Sequence, residues 1–477
     1  MKHQHNKGSR LQPFALSIWT LSIFIGRVPC GFRELPSQIV WDFRRRKTIG
    51  NALHIQILAR CCGDKKIGPA RRLRLKSFIF RDLNSDHQCT TKRENKMKIK
   101  SKLMMATVCL ASIASSSIAD NIKVGFNVPL TGFAAADGTS ALNGAELAVE
   151  QINSAGGING DIIELVVYDD QASPKESVPI AQKLIESDNV VAAVSGSYSG
   201  ATRAAAGIFQ ESGVPYISAY AIHPDITRAG DYVFRTSFVG EVQGRAGAKL
   251  AGEMLGLKKA VVVTLQNDFG KSLVAGFKEV SANYGIDIVG EYEYSIKDRQ
   301  FGPIVSKIRA DNPDVIYATG YFFTAGPLVS QLRAAGITTT IIGQEGYDSQ
   351  KFIDIAGTAA EGTIITTSLD RDSTAVETQD FITAFEAKSG NKTDMVAASA
   401  HTAIKVLAAA LQSSGDADRA ALRDAIAGTQ LTASTGDISF NDLGEVQKSV
   451  QVQVVKDGQW HHHSVIHDAA LLAPPTE

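Results

Sequence analysis

From residue 121 onward, the sequence alternates short apolar runs with stretches of helical periodicity. Two series of this kind follow one another, over residues 122–218 and 259–342. Strands that alternate with helices form parallel sheets with right-handed crossovers and helices on both faces. The sequence therefore predicts an α/β fold with two doubly wound parallel-sheet lobes. The predicted strands are 122–128, 162–168, 190–194, 214–218, 259–265, 286–292, 314–319 and 339–342, and helices of the second series are 269–284, 301–310 and 325–335.

Beyond residue 362 the chain returns to helices, predicted at 379–389 and 394–412, and closes with strand-like stretches at 437–440, 450–455 and 460–466. The last stretch contains His461, His462 and His463, and His467 follows it. Alternation along a strand would divide the three consecutive histidines between two faces, which favours a solvated edge strand over a metal site. We predict no metal and no cofactor.

The stretch 190–202, V-V-A-A-V-S-G-S-Y-S-G-A-T, has the form of a buried strand, a small-residue turn and the start of a helix. Such a turn directs backbone N–H groups, hydroxyls and the positive end of a helix dipole to one point, which suits an anion. A plain strand-to-helix connection has the same local sequence. In doubly wound folds, ligands bind at the carboxyl ends of strands, so the tips after Val194, Ile217, Thr319 and Ile342 are candidate ligand contacts.

Charge and cysteine content divide the chain near residue 120. Residues 1–119 carry 23 Lys and Arg against 6 Asp and Glu, and residues 120–477 carry 26 against 43, so the neutral total combines +17 with −17. All five cysteines precede residue 120. Thiol-free sequence after that point is typical of an exported protein and excludes Cys chemistry there.

The boundary has the form of a secretory signal peptide over 97–119. A basic segment 97–102 precedes an apolar stretch 103–114, and Ser117-Ile118-Ala119 predicts cleavage ahead of Asp120 and a periplasmic product. Cys109 lies inside the apolar stretch, which disfavours a lipoprotein signal. Residues 1–96 are interpreted as a non-native or disordered upstream extension, with Met97 as the true start. The alternative is a basic arm that binds nucleic acid, which conflicts with an export signal behind it.

Enzyme motifs are lacking in the sequence. Gly196-Ser197-Tyr198-Ser199-Gly200 is similar to a nucleophile elbow, but the central position holds Tyr198 where that motif requires serine. Neither a P-loop nor a dinucleotide-binding glycine motif follows the first strand. We therefore predict that the protein is not an enzyme.

A carboxylate between glycines marks a strand tip of the second series, in Gly343-Gln344-Glu345-Gly346. Packing or helix capping explains this placement of Glu345 poorly, whereas a role in binding a cation at the strand tip explains it. The alternative is that Glu345 is a solvated acid in a loop. Tyr321 follows the preceding strand and is expected at an equivalent tip.

Several motifs in order resemble the leucine/isoleucine/valine-binding proteins of bacterial ABC transporters, which are type I periplasmic binding proteins. The resemblance covers essentially all of 120–477. It rests on I-K-V-G at 122–125, N-G-A-E-L-A-V at 143–149, A-G-G-I-N-G at 155–160, Y-D-D at 168–170 and L-R-A-A-G at 332–336.

The resemblance implies two lobes joined by three crossovers, one at 120–239 plus 368–447 and the other at 240–367 plus 448–477. It implies a monomer that binds an amino acid, branched-chain or related, and delivers it to an inner-membrane ABC permease, with no nucleic-acid partner. The ligand carboxylate would be held by the Ser199 hydroxyl and by the main chain of Tyr220 and Ile222. Glu345 and Tyr321 would hold the ammonium.

Two positions depart from the pattern of that family. Ile222 stands where threonine is usual, so only its backbone can serve. Asp137 stands where an aromatic residue commonly covers the side-chain pocket, while Phe269 keeps an aromatic at another covering position. Asp137 is either the N-cap of the first helix or a pocket residue, and a purely aliphatic ligand would suit the second role poorly. The alternative function on the same fold is a ligand-sensing or amide/urea-type binding protein.

Overall fold

The computed structural model describes residues 39–43, 57–61, 121–415 and 418–474. Within an N-terminal unit, Met1–Met105, strands β1 (Ile39–Phe43) and β2 (Ile57–Cys61) pair antiparallel, with Ile39 opposite Cys61. The rest of the predicted upstream extension and the whole predicted signal peptide, 97–119, lie outside the described residues.

The second unit contains two large sheets. The first has five parallel strands in the order β4-β3-β5-β6-β7. This sheet forms the centre of its lobe. The last five residues of β3 and all of β5 are buried, as expected for parallel strands covered on both faces. The strands are β3 (Asn121–Val128), β4 (Ile162–Asp169), β5 (Ala192–Ser195), β6 (Tyr216–Ser218) and β7 (Val233–Arg235).

The second sheet has seven strands in the order β16-β15-β12-β11-β10-β8-β9. Its first five strands along the chain are parallel, and the last two add as an antiparallel pair at one edge. A two-stranded hairpin, β13 (Leu431–Ala433) with β14 (Gly436–Ile438), lies between the two groups in sequence. The strands are β8 (Lys259–Leu265), β9 (Asp287–Tyr294), β10 (Val315–Ala318), β11 (Thr340–Gly343), β12 (Ile364–Thr367), β15 (Val450–Lys456) and β16 (Gln459–Ile466).

Helices follow the strands as the alternation predicts. In the described part of the chain they are α1 (Ala135–Ser154), α2 (Pro174–Glu186), α3 (Ser199–Glu211), α4 (Gly240–Lys249), α5 (Asp268–Ser281), α6 (Gly302–Asp311), α7 (Phe322–Ala334), α8 (Gln350–Ala356), α9 (Val376–Ser389), α10 (Met395–Ser414) and α11 (Arg419–Ala427).

The chain passes between the two sheets three times, at 235–240, 367–376 and 438–450. After the second passage, α9 and α10 pack on α1 beside the first sheet. Gly144 permits the crossing of α1 and α10, because a Cβ there would lie 2.2 Å from the Ala397 carbonyl oxygen. The predicted fold class, two doubly wound lobes joined by three crossovers, is confirmed.

Helix α10 has the length and apolarity to cross a membrane, but 83% of its most apolar window is buried inside the protein. It is a core helix packed on α1. Strand β16 lies at a sheet edge as predicted, where the His461 and His462 rings meet Asp372 and Asp370.

Some elements were not predicted. Strands β7 and β12 are three and four residues long, too short for a periodicity to stand out. The return to helices beyond residue 362 was therefore placed too early, since β12 comes first. Helices α4, α8 and α11 were also missed.

Candidate functional site

The carboxyl ends of the two sheets face each other across a cleft that narrows to a cavity of about 20 Å³. Six of the seven predicted site residues line this cavity, and Ile222 does not. The lining consists of Asp137, Tyr198, Ser199, Tyr220, Ala221, Phe269, Tyr321, Glu345, Gly346, Asp348, Ser349, Met395 and Val396.

The first wall is built on the turn between β5 and α3. Ser199 is the first residue of α3, is 2% exposed and lines the cavity, and the first N–H groups of α3, which have no partner within the helix, lie in the same turn. The Ile222 N–H donates to Ser199 Oγ at 3.2 Å. The Ile222 amide therefore orients the serine, whose own hydroxyl hydrogen remains available as a donor.

Tyr220 supports the same turn from the end of β6. Its hydroxyl donates to the Gly196 carbonyl oxygen at 2.5 Å, and its ring packs edge-on against Tyr198. The side chain thus fixes the turn, and burial raises the pKa of Tyr220 well above its usual range.

The second wall carries Glu345, directly after β11. The carboxylate is 2% exposed, and Gln243 Nε2 donates to Oε2 at 3.3 Å. Oε1 has no hydrogen-bond donor among the described residues. Burial raises the pKa of Glu345 to about 8, although the Gln243 bond and the nearby Lys448 charge act in the opposite direction.

The residues flanking Glu345 explain its glycine-rich setting. Gln344 Nε2 donates to the Gly320 carbonyl oxygen at 2.9 Å, and its Oε1 accepts from the Gly346 N–H at 2.8 Å. A Cβ on Gly346 would lie 2.2 Å from the same Gly320 oxygen. The turn is thereby held against the neighbouring strand tip with the Glu345 carboxylate directed inward.

Aromatic rings bridge the two walls. Tyr198 of the first lobe stacks on Tyr321 of the second with centroids 4.2 Å apart and planes at 2°, and Tyr321 also stacks on Phe269 at 4.6 Å. At the rim, Phe133 meets Phe323 at 5.8 Å. These ring contacts join the two lobes across the cleft.

Asp137 faces the cavity from the first turn of α1. The N-cap interpretation is wrong, because a 3₁₀ turn, Gly132–Ala134, precedes a helix that already begins at Ala135. The Asp137 side chain is 7% exposed, and its Oδ2 accepts from the Tyr198 hydroxyl at 2.6 Å. Burial raises the pKa of Asp137 to about 7, while the Tyr198 bond lowers it.

Sequence reasoning missed the far end of the cavity. Asp348 forms an ion pair with Arg371 and accepts from Thr367 Oγ1 at 2.6 Å and from the Met395 N–H at 3.3 Å. Ser349 accepts the indole N–H of Trp460 on its carbonyl oxygen at 3.4 Å. The position of Asp348, three residues beyond Glu345, could have indicated that it belongs to the site. Met395 and Val396 could not be found in this way, because they belong to α10, which is distant in sequence.

Two further buried charges lie on the third passage between the lobes. Glu445 pairs with Arg235, whose Nε lies 2.9 Å from Oε2 and whose Nη2 donates to Oε1 at 3.0 Å. Lys448 has a buried Nζ without a hydrogen-bond acceptor among the described residues. Burial lowers the pKa of Lys448 to about 7, against the opposing charge of Glu345.

The sequence pattern of the "Periplasmic binding protein" family matches residues 121–459. The chain belongs to this family. It is 30% identical over 348 residues to the leucine-, isoleucine-, valine-, threonine- and alanine-binding protein of Pseudomonas aeruginosa, covering 72% of this chain and 92% of that protein.

Solved structures agree with this assignment. The branched-chain amino acid transporter substrate-binding protein of Streptococcus pneumoniae, in complex with isoleucine, is 29% identical, with a TM-score of 0.69 over 73% of this chain and 99% of that one. A solute-binding protein of an R. palustris ABC transporter, in complex with benzoate, is 27% identical, with a TM-score of 0.67 over 73% and 98%. Relatives of this chain are thus binding proteins for transport.

Proposed function

We propose that this protein is the periplasmic substrate-binding component of an ABC importer and that it captures an amino acid, branched-chain or related, for the inner-membrane permease. The observation that carries the proposal is the placement of two opposite chemistries on one cavity. Ser199 at the start of α3 lines one wall, and the buried Glu345 with its unpartnered oxygen lines the other.

An α-amino acid matches both walls. Its carboxylate accepts from the Ser199 hydroxyl and from N–H groups at a helix N-terminus, while its ammonium donates to Glu345. Each charge-assisted bond contributes roughly 1.5–3 kcal/mol. Because the two walls belong to different lobes, the ligand contacts both only in the closed form, which drives closure. We take 120–239 plus 368–447 and 240–367 plus 448–477 as the two moving bodies.

Aromatic carboxylates are the second candidate ligands, favoured by the stacked Tyr198, Tyr321 and Phe269 rings. The relative from R. palustris was crystallised with benzoate. Charge argues against this class here. Asp137 and Glu345 line the cavity without an ion pair among the described residues, and the lining includes neither Lys nor Arg. A zwitterion brings a cation to these acids, whereas benzoate brings only an anion.

The test is isothermal titration of the chain from Asp120 with a panel of α-amino acids, amides and benzoates. We expect α-amino acids to bind, and a ligand at 100 times its dissociation constant to stabilise the fold by about 2.7 kcal/mol. Binding of benzoate without binding of any α-amino acid would establish the second candidate instead.

Export and oligomeric state are tested on native material. We expect the purified periplasmic protein to start at or beside Asp120 and to elute as a monomer. Intact mass and N-terminal sequencing decide the first point, and light scattering decides the second.

A further inference from the structure

The part of the cavity that would receive a ligand side chain is polar on one side. Asp137 lines the ligand cavity and also a neighbouring cavity of about 410 Å³. Ser349 is shared by the two cavities in the same way. The rest of the larger cavity is lined mainly by polar side chains, among them Ser140, Asn143, Lys351, Asp354, Lys392 and Asp394. Asp137 therefore stands between the ligand cavity and a polar space.

Asp137 differs from its acidic neighbours in how fully it is hydrogen-bonded. Asp348 is neutralised by Arg371 and accepts two further hydrogen bonds. Asp394 caps α10 through the Ala397 N–H at 2.9 Å and accepts from Ser140 Oγ at 2.7 Å. Within the described residues, Tyr198 is the one hydrogen-bond donor to Asp137. A carboxylate has about four acceptor positions, so most of the capacity of Asp137 is unused.

We propose that Asp137 is a specificity-determining residue that selects amino acids whose side chain carries a hydrogen-bond donor, a hydroxyl or an amine, over aliphatic ones of the same size. This inference rests on the proposed function, because it takes Ser199 and Glu345 to fix the α-carboxylate and α-ammonium.

The physical reason is the cost of burying an acceptor without a donor. An aliphatic side chain placed against Asp137 removes water from the carboxylate and returns nothing. A hydroxyl supplies the missing donor, and an amine supplies a donor and a charge. The cavity lining also contains the apolar side chains of Met395 and Val396, which accommodate the carbon atoms of either ligand, so the side-chain terminus decides the preference.

Three pairs of ligands that match in size isolate this effect. They are threonine with valine, serine with 2-aminobutyrate, and 2,4-diaminobutyrate with norvaline. We expect the donor-bearing member to bind the wild-type protein at least about tenfold more tightly in each pair, the ratio that a hydrogen bond to a charged group provides. The largest ratio is expected for 2,4-diaminobutyrate. Isothermal titration gives each dissociation constant.

Asp137→Leu removes the carboxylate at similar volume, and we expect it to abolish or reverse the three ratios. Asp354→Leu is the matched control, because Asp354 lines only the larger cavity and its loss leaves the ratios as in the wild type. Circular dichroism and binding of any ligand of the panel verify that each variant is folded.

The outcomes separate this inference from the proposed function. If no α-amino acid binds the wild-type protein, the proposed function fails. If amino acids bind and the aliphatic members bind as tightly as their partners, the inference is overturned and the function stands. If Asp137→Leu keeps the donor preference, that preference does not come from Asp137 and the assignment of this residue is wrong.

Discussion

Two buried glutamates near the passages between the lobes have very different surroundings. Glu445 is 2% exposed and paired with the fully buried Arg235, and Thr227 Oγ1 also donates to it. Glu345 is equally buried but receives one long hydrogen bond from Gln243. The first carboxylate is satisfied by the fold, whereas the second has an acceptor left for a ligand.

The paired glutamate stabilises the site indirectly. Arg235, which it neutralises, donates to the carbonyl oxygens of Ala221 at 2.9 Å and His223 at 2.8 Å. These residues flank Ile222, whose amide orients Ser199. A buried charge is therefore structural where its partners belong to the protein, and it is available for binding where they do not.

The largest effect is expected from breaking the satisfied pair. Glu445→Gln leaves Arg235 buried without a counter-charge, and we expect a loss of roughly 3–5 kcal/mol in the free energy of unfolding. Glu291→Gln is the matched control at the surface pair with Lys278, where both side chains are about half exposed, and should cost at most about 1 kcal/mol. Denaturant unfolding measures both. Equal losses would contradict the structural role of Glu445.

Glu345→Gln should have the opposite consequences, a loss of binding without a loss of stability. The variant removes the carboxylate that we propose as the acceptor of the ligand ammonium, so we expect amino-acid affinity to fall roughly 10- to 150-fold, the equivalent of one charged hydrogen bond. The unliganded protein should be as stable as the wild type or more stable, because a desolvated acid has been removed. Calorimetric titration and thermal unfolding check the two halves, and unchanged affinity would refute the role of Glu345.

Amino-acid binding should depend on pH through Glu345, whereas the ion-paired Glu445 should contribute no such dependence. The pKa of Glu345 is about 8 without ligand, so at lower pH the group must release a proton before it accepts an ammonium. Affinity should therefore rise with pH, by up to about tenfold per unit, until pH approaches 8. Titrations in buffers of different ionisation enthalpy should reveal the released proton at pH 7. Glu345→Gln should lack this component.

Stability of the unliganded protein should change in the opposite direction. The folded-state pKa of Glu345 lies above the ordinary value of 4.5, so its contribution to stability is complete below that value and is lost as pH rises through about 8. The pKa of Asp137 is also raised, to about 7, so its contribution to stability is likewise lost as the pH rises. The unfolding temperature should be higher at pH 5 than at pH 8. This difference should be smaller in Glu345→Gln than in the wild type.

The smallest effect concerns Lys448, which lies three residues beyond Glu445. Its charge lowers the pKa of Glu345, so Lys448→Met should shift the pH midpoint of amino-acid binding upward. A series of titrations between pH 6 and 9 measures that midpoint. A downward shift would show that Lys448 opposes the ionisation of Glu345.

The sequence predicted the architecture and the strand-tip residues because these depend on local signals. Apolar periodicity identified most strands, and small-residue turns identified Ser199 and Glu345. Of the two alternatives for Asp137, the N-cap is wrong and the pocket position agrees with the structure, because α1 begins at Ala135, directly after a 3₁₀ turn of three residues. No local pattern distinguishes this turn from the first turn of a helix.

Other parts of the site depend on distant packing. Met395 and Val396 line the cavity only because α10 crosses α1 at Gly144. In the sequence, Lys448 is a lysine between polar residues, with nothing to indicate burial. Its Nζ is buried because the third passage of the chain carries it between the two lobes. Such contacts between distant segments leave no periodicity in the sequence of either segment.

The contact between Trp460 and Ser349 has an experimental consequence. Trp460 is the one tryptophan in the sequence after residue 120, and its indole N–H donates to a residue that lines the ligand cavity. The chain from Asp120 onward therefore contains a single tryptophan fluorophore, and its immediate surroundings include the candidate ligand cavity. Mixing this unlabelled protein with ligand in a stopped-flow fluorimeter gives a direct recording of how fast the cleft responds.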